Sequence, residues 1–191
     1  TARPRLTEDT RRIRLLQLTD FHLRKAPGDT LLGVDTERSF RETLAAALAD
    51  GTPPDLALLT GDLVQDACPE TYMRLASLLA DLPCQAWCLP GNHDDPALLA
   101  RHLAGGRLHV QPQILLPDWQ IICLDSTVPG SPKGRLSAAQ LATLASLLEQ
   151  QPERHALIAL HHHPVPSGSA WMDTMQLENA GAFFEQLSRH P

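Results

Sequence analysis

The sequence predicts an α/β protein, a sandwich of helices around mixed sheets, and three observations point there. Short, nearly unbroken apolar runs alternate with longer amphipathic ones. Pro, Gly, Asp and Asn punctuate the alternation. Polar residues able to hold metal ions recur just beyond the carboxyl ends of the apolar runs.

The elements follow in order. Ile13–Thr19, Leu56–Thr60, Ala86–Leu89 and Ala156–Leu160 are compact apolar runs, as expected of strands buried on both faces. Thr36–Asp50 and Tyr72–Leu82 carry helical spacing, with Leu75, Leu78 and Leu79 on one face of the second. Asp35 or Thr36 caps the first helix, and Pro69 suits the start of the second. This strand–helix–strand order predicts a parallel sheet with right-handed crossovers. In the middle, Gln113–Leu116 and Trp119–Leu124 flank Pro117-Asp118, which reads as a tight turn between two strands. A Pro/Gly/Ser-rich loop, Ser126–Gly134, leads to a helix over Ser137–Gln150, and Asp173–Ser188 is expected to be helical despite Gly181.

Composition bounds the function. The 191 residues suit one domain with a substantial core, and 43% hydrophobic with 20% charged residues is ordinary for a globular chain. No apolar run approaches the length of a membrane span, and the opening Thr1–Arg14 is polar, unlike a secretory signal. A formal net charge of −6 argues against broad nucleic-acid binding, although bound cations would reverse the field locally for a small anionic substrate. Cys84 and Cys88 have the spacing of a metal pair, but no second pair follows. Buried, reduced thiols and a cytoplasmic protein are the expectation.

The chemistry sits where open α/β sheets place their ligands, at loops that converge beyond the strand ends. The first strand leads into Asp20-Phe21-His22, the second into Gly61-Asp62, the third into Gly91-Asn92-His93-Asp94, and the last into His161-His162-His163. Residues separated by one can face the same side of an extended segment, so Asp20 and His22 can share an ion. Singly, each motif has a plainer explanation: a chance Asp-x-His, a turn, an Asx turn capping the helix from Pro96, a strand-end histidine. Together, on four strand ends, they point to one metal site.

That order resembles the calcineurin-like metallophosphoesterase superfamily, with its D-x-H, G-D, G-N-H-D/E and H motifs. Leu31-Leu32-Gly33-Val34-Asp35, Gly61–Asp66, Leu89–Asp94, Leu124-Asp125-Ser126 and the stretch from His161 to Asn179 are similar to its bacterial class III cyclic-AMP phosphodiesterases. The similarity runs from Ile13 to Arg189.

The resemblance implies an α/β/β/α sandwich and a centre for two divalent metal ions about 3.5–4 Å apart. It assigns Asp20 and His22 to one ion, Asn92 and His161 to the other, and Asp62 to both. Mn²⁺ and Fe suit the donors, with Zn²⁺, Mg²⁺ or Co²⁺ as further candidates. His93 would not bind metal; it would face the phosphoryl group and serve the leaving alkoxide, oriented by Asp66 or Asp94. Asn92, His93 and His162 would lie on the substrate side, with His163 a loop residue. The implied reaction is attack by a metal-bridging hydroxide on 3′,5′-cyclic AMP or a related cyclic nucleotide, giving the 5′-monophosphate. Trp171, Met172 and Leu31–Val34 either contact the base or ribose or only pack their loops.

The chain departs from the family at its end. No Gly-His-x-His motif follows His163, and the remaining histidine, His190, lies in Ser188-Arg189-His190-Pro191. The expectation is therefore one domain over 1–191, incomplete at its C-terminus, with weakened metal binding and a second copy of the chain as a partner. Two alternatives accompany the cyclic-nucleotide reading: a glycerophosphodiester or general phosphodiester hydrolase, and a non-enzymatic domain that binds metal or a partner.

Overall fold

The computed structural model describes residues 12–190. Most of the polar opening segment, and with it the expectation of no secretory signal, lies outside the described residues. Two sheets stack face to face between two layers of helices. The first contains β1 (Leu15–Leu18), β4 (Leu56–Thr60), β5 (Gln85–Leu89) and β6 (Leu108–His109), in that spatial order and all parallel. The second contains β7 (Gln113–Leu115), β8 (Trp119–Cys123) and β9 (His155–Ala159). There β7 runs antiparallel to β8, across the expected Pro117-Asp118 turn, and β8 runs parallel to β9. A small hairpin, β2 (Thr30–Leu31) with β3 (Val34–Asp35), stands apart from both sheets.

The alternation of side chains explains the layering. Along β4, Leu56 and Leu58 face the second sheet, where they meet Ile114, Ile121, Cys123 and Ala159. Ala57 and Leu59 point the opposite way, into a core with α1 (Thr36–Ala47), α2 (Pro69–Leu79) and α3 (Pro96–Leu103). A strand enclosed on both sides must be apolar along its length, and β4 is so from Leu56 to Leu59, with Thr60 buried at its end. On the outer face of the second sheet, Ile122 and Leu124 pack on α4 (Ala138–Gln150) and α5 (Ala180–Ser188). Burial of these side chains contributes roughly 1.5–3 kcal/mol for each large one. The result is the α/β/β/α sandwich.

Helix starts obey local chemistry. Asp35, not Thr36, caps α1 by accepting the Arg38 N–H, Pro69 opens α2, and Ser137 caps α4. Asp95, rather than the Asn92–Asp94 segment, caps α3 through the N–H groups of Ala97 and Leu98. Leu75, Leu78 and Leu79 are buried together, as their spacing predicts.

Two expectations are corrected. The helix expected through Asp50 ends at Ala47, because Asp50 turns its carboxylate to Arg14 and to the Thr52 N–H. The helix expected over Asp173–Ser188 is broken into a 3₁₀ turn at Met172–Met175 and α5 from Ala180. The intervening backbone bonds elsewhere: Leu177 N–H to the His163 carbonyl, Glu178 N–H to the Gly134 carbonyl. Asn179 locks the break, its amide exchanging two hydrogen bonds with the Leu136 backbone at 2.9 and 2.8 Å. No described helix is long and apolar enough to cross a membrane.

Candidate metal centre

The loops after β1 and β4 are zipped together by backbone hydrogen bonds. Asp20 N–H donates to the Gly61 carbonyl, His22 N–H to that of Asp62 and Leu23 N–H to that of Leu63, at 3.0–3.1 Å. The pairing twists the chain into the left-handed region at Asp20 (φ 57°), His22 (φ 45°) and Asp62 (φ 50°). Each such residue costs about 1–2 kcal/mol, a cost that persists only where neighbours over-determine the backbone. Two glycines permit the close approach. A Cβ on Gly91 would lie 2.2 Å from Asp62 Oδ1, and one on Gly61 would lie 2.5 Å from His161 Nδ1.

The result gathers carboxylates and imidazoles from both sheets. Asp62 is 4% exposed; its Oδ1 accepts the His93 N–H at 2.9 Å, while Oδ2 lies 3.6 Å from His22 Nε2 and 3.6 Å from His161 Nε2. Asp20 Oδ1 is 3.7 Å from His22 Nε2, and Asp20 Oδ2 accepts the Thr19 hydroxyl. His22, Asp62 and His93 form one group whose ligand atoms fall within 4.8 Å of one another, and Asp20, Asp62 and His161 form another. Asp62 belongs to both.

The donor set fits divalent cations. With metal–ligand bonds of about 2.0–2.2 Å, two atoms on one ion cannot lie more than about 4.4 Å apart, and separations of 3.6–3.7 Å fall inside that limit. They are too long for hydrogen bonds, so Asp62 Oδ2 and the imidazoles face a common space. A buried carboxylate needs a cation or donors there.

Tautomers follow from the neighbours. The Thr60 carbonyl lies 2.9 Å from His161 Nδ1 and can only accept, so Nδ1 carries hydrogen and Nε2 presents its lone pair toward Asp62. His93 Nδ1 lies 3.1 Å from the Gln65 amide nitrogen; with that nitrogen donating, the His93 proton sits on Nε2. Burial alone would raise the Asp20 carboxyl, but His22, Thr19 and His161 outweigh it and hold Asp20 below the usual carboxylate range. Asp20 in turn raises His22, against burial and with help from Asp62.

The sequence-predicted residues are placed as follows. Asp20, His22, Asp62, His93 and His161 converge, and Asn92 lies half-buried between Gly91 and His93. The spacing groups Asp20 with His161 and His22 with His93, whereas the family pattern pairs Asp20 with His22 and Asn92 with His161. His162 is enclosed beside His161, with ring centroids 5.0 Å apart. It is 2% exposed, its Nδ1 is 2.8 Å from Ser126 Oγ, and its ring packs beneath Gly134. Burial first, then His161, pushes its imidazole down to about 4, leaving it neutral. His163 faces Asp173 at 3.4 Å, away from the cluster.

Neither carboxylate proposed to orient His93 does so. Asp66 pairs with Arg24 and the Lys25 N–H. Asp94 is buried and accepts from the N–H groups of Gly91, Leu63 and Val64 and from the Tyr72 hydroxyl. It fastens the β5–α3 loop to the β4–α2 loop, and Tyr72 extends the clamp by accepting the Asp95 N–H at 2.9 Å. Gln65, which lies within the Gly61–Asp66 stretch but carried no expected role, is the His93 partner. The four cysteines are free; Cys84, Cys88 and Cys123 are buried, as expected, whereas Cys68 is half-buried.

The fold carries a candidate metal centre, and the chain belongs to the calcineurin-like phosphoesterase family, whose model matches residues 13–185. A dinuclear metal centre is a property of that family. Among relatives, the chain is 40% identical over 181 residues to the 3′,5′-cyclic adenosine monophosphate phosphodiesterase CpdA of Escherichia coli K12, covering 94% of this chain and 66% of that protein. It is 40% identical over 177 residues to CpdA of Haemophilus influenzae, covering 92% and 65%. The chain thus spans about 65% of the length of these curated relatives. Among solved structures, a dimetal phosphatase from Danio rerio shares the fold with a TM-score of 0.63 at 13% identity, covering 93% of this chain and 78% of that one.

Proposed function

We propose that this chain, loaded with two divalent cations, hydrolyses a phosphodiester, 3′,5′-cyclic AMP or a related cyclic nucleotide, to the 5′-monophosphate. The observation that carries the reading is the convergence of Asp20, His22, Asp62, His93 and His161 at one edge of two sheets, in a chain similar to proteins named for that activity.

When bound, the cations supply an activated water and neutralise the phosphoryl oxygens. Asp20, His22, Asp62, Asn92 and His161 are the residues to hold them. Carboxylate, amide and imidazole together suit Mn²⁺ or Fe. Asp62 is fixed by the His93 N–H on one oxygen and leaves the other to the cations. His161, tethered to the Thr60 carbonyl, offers Nε2 without a proton. His93 takes the other part. Gln65 holds its Nδ1, so the Nε2 proton is available to the 3′ oxygen as the P–O3′ bond breaks. The Asn92 amide N–H is suited to a phosphoryl oxygen. Small-molecule phosphodiesters are the expected partners.

The test supplies Mn²⁺ or Fe²⁺ to the purified chain and measures 5′-AMP released from cyclic AMP, beside a glycerophosphodiester. Metal-dependent 5′-AMP release supports the reading. Faster turnover of the glycerophosphodiester would replace it with a general diesterase. Bound metal without turnover of either would leave a metal-binding domain.

A further inference from the structure

Beside Asp20 and His22 lies a cleft of about 310 Å³ that the chemistry above does not use. Its volume falls in the range of about 300–1,000 Å³ typical of small-ligand sites. One wall is the β2–β3 hairpin, through Leu31, Leu32 and Val34, and Phe21 adds an aromatic ring. That ring is held against Phe40, centroid to centroid 4.7 Å. Facing them are hydroxyls: Thr19 from the end of β1, and Ser39 and Thr43 one turn apart on α1. Asp20 and His22 are the charged or titratable side chains in its lining, and both belong to the metal cluster.

The hairpin tip carries an independent sign. Four described non-glycine residues occupy positive φ, and three of them, Asp20, His22 and Asp62, are in the metal cluster. The fourth is Leu32, at φ 48° and 98% exposed, followed by Gly33 at φ 85°. Two consecutive positive φ values suit a two-residue hairpin turn, where Asn or Gly is the relaxed choice at the first position. Leucine there is strained and leaves its whole side chain in water. Neither packing nor turn chemistry accounts for it, and strain of this kind gathers at ligand clamps.

We infer that this cleft receives the nucleoside part of the substrate, with Leu32 closing over a planar heterocyclic base. The inference rests on the diesterase reading for its substrate. Aliphatic walls and a fixed phenylalanine suit the faces of a base; the Ser39 and Thr43 hydroxyls can donate or accept at its edge, and Thr19 Oγ1, whose proton goes to Asp20, can accept. A glycerol group would leave the aliphatic wall wet, and an acyl chain would leave the hydroxyls without partners. Continuity with Asp20 and His22 places the phosphate end of the same molecule at the metals.

Adenosine, which has no phosphate, separates the cleft from the metal centre. In the whole chain without added metal, adenosine should shift the methyl NMR signals of Leu31, Leu32 and Val34. Ser39→Trp, filling the cleft from an exposed helix position, should abolish those shifts. Leu32→Gly fits the turn without strain and should weaken adenosine on the order of five- to tenfold. With metal added, both substitutions should raise KM for cyclic AMP while leaving kcat for a small dialkyl phosphodiester unchanged. Adenosine shifts absent in the parent chain, or persisting in Ser39→Trp, would overturn the inference. If the diesterase reading alone fails, turnover is absent but the adenosine shifts remain. If this inference alone fails, turnover remains without them.

Discussion

His161 Nε2 stands 3.6 Å from Asp62 Oδ2, although the two residues follow strands of different sheets. The contact exists because Gly61, at φ 96°, leaves room for the imidazole. Gly61→Ala adds a Cβ that would meet His161 Nδ1 at 2.5 Å, at a φ that L side chains rarely adopt. It should destabilise the protein by about 2–4 kcal/mol and displace His161 from the cluster. Urea denaturation measures the first effect and metal titration the second; a midpoint equal to that of the parent chain would refute both.

Asp62→Asn tests the shared carboxylate. The amide keeps an oxygen for the His93 N–H but removes the charge that serves both ligand groups. Metal content, by elemental analysis after desalting, should fall for both ions, with the melting temperature in chelator near that of the parent chain. Two ions retained in Asp62→Asn would mean that the centre lies elsewhere.

His93→Ala should separate proton delivery from metal binding. Turnover of diesters with poor leaving groups should fall on the order of 10²–10⁴-fold, with much less loss for aryl diesters, and metal content should stay constant. Gln65→Leu should produce the same leaving-group dependence in weaker form, since it frees the His93 ring without removing it. Loss of one metal in His93→Ala would instead make His93 a ligand, as its grouping with His22 and Asp62 allows.

Asp173 ties down the loop that carries Trp171. The Ser167 hydroxyl and N–H, and the Gly168 N–H, all donate to its carboxylate. The Ser167 hydroxyl first, and then its N–H, hold Asp173 well below the usual carboxylate range. A lowered folded value means that the anion stabilises the loop at all pH above the ordinary carboxylate pKa of about 3.9. That contribution is lost as pH falls from there through the folded value. Trp171 fluorescence or proteolysis of the loop should show loosening in acid that is already present at neutral pH in Asp173→Asn. Identical acid behaviour of parent and variant would show that the carboxylate does not hold the loop.

The four thiols should divide by burial. Cys84, Cys88 and Cys123 are buried, and burial pushes the Cys123 thiol up to about 12, far from the reactive thiolate. A disulfide reagent should therefore label one thiol, Cys68, in the native chain and four in denaturant. Rapid native labelling of all four would contradict this packing.

The sequence by itself determined most of the layering and the identity of the clustered side chains. β4, apolar from Leu56 to Leu59, had to be enclosed on both faces, and ligand-type residues beyond four strand ends had to meet wherever those ends converge. Local signals are strong because a strand's period and a helix's first turn depend on near neighbours: Asp35, Pro69 and Ser137 act within three residues. What the tertiary structure decided depends on residues far apart in the chain. Gln65, not Asp66 or Asp94, meets His93 because Asp94 is drawn inward by three backbone N–H groups and Tyr72. His162 is buried edge-on to His161 because Ser126 and Gly134 enclose it. The last helix breaks because Leu177, Glu178 and Asn179 bond to His163, Gly134 and Leu136. The strain at Leu32 likewise comes from the turn between two paired strands, since composition carries no record of φ.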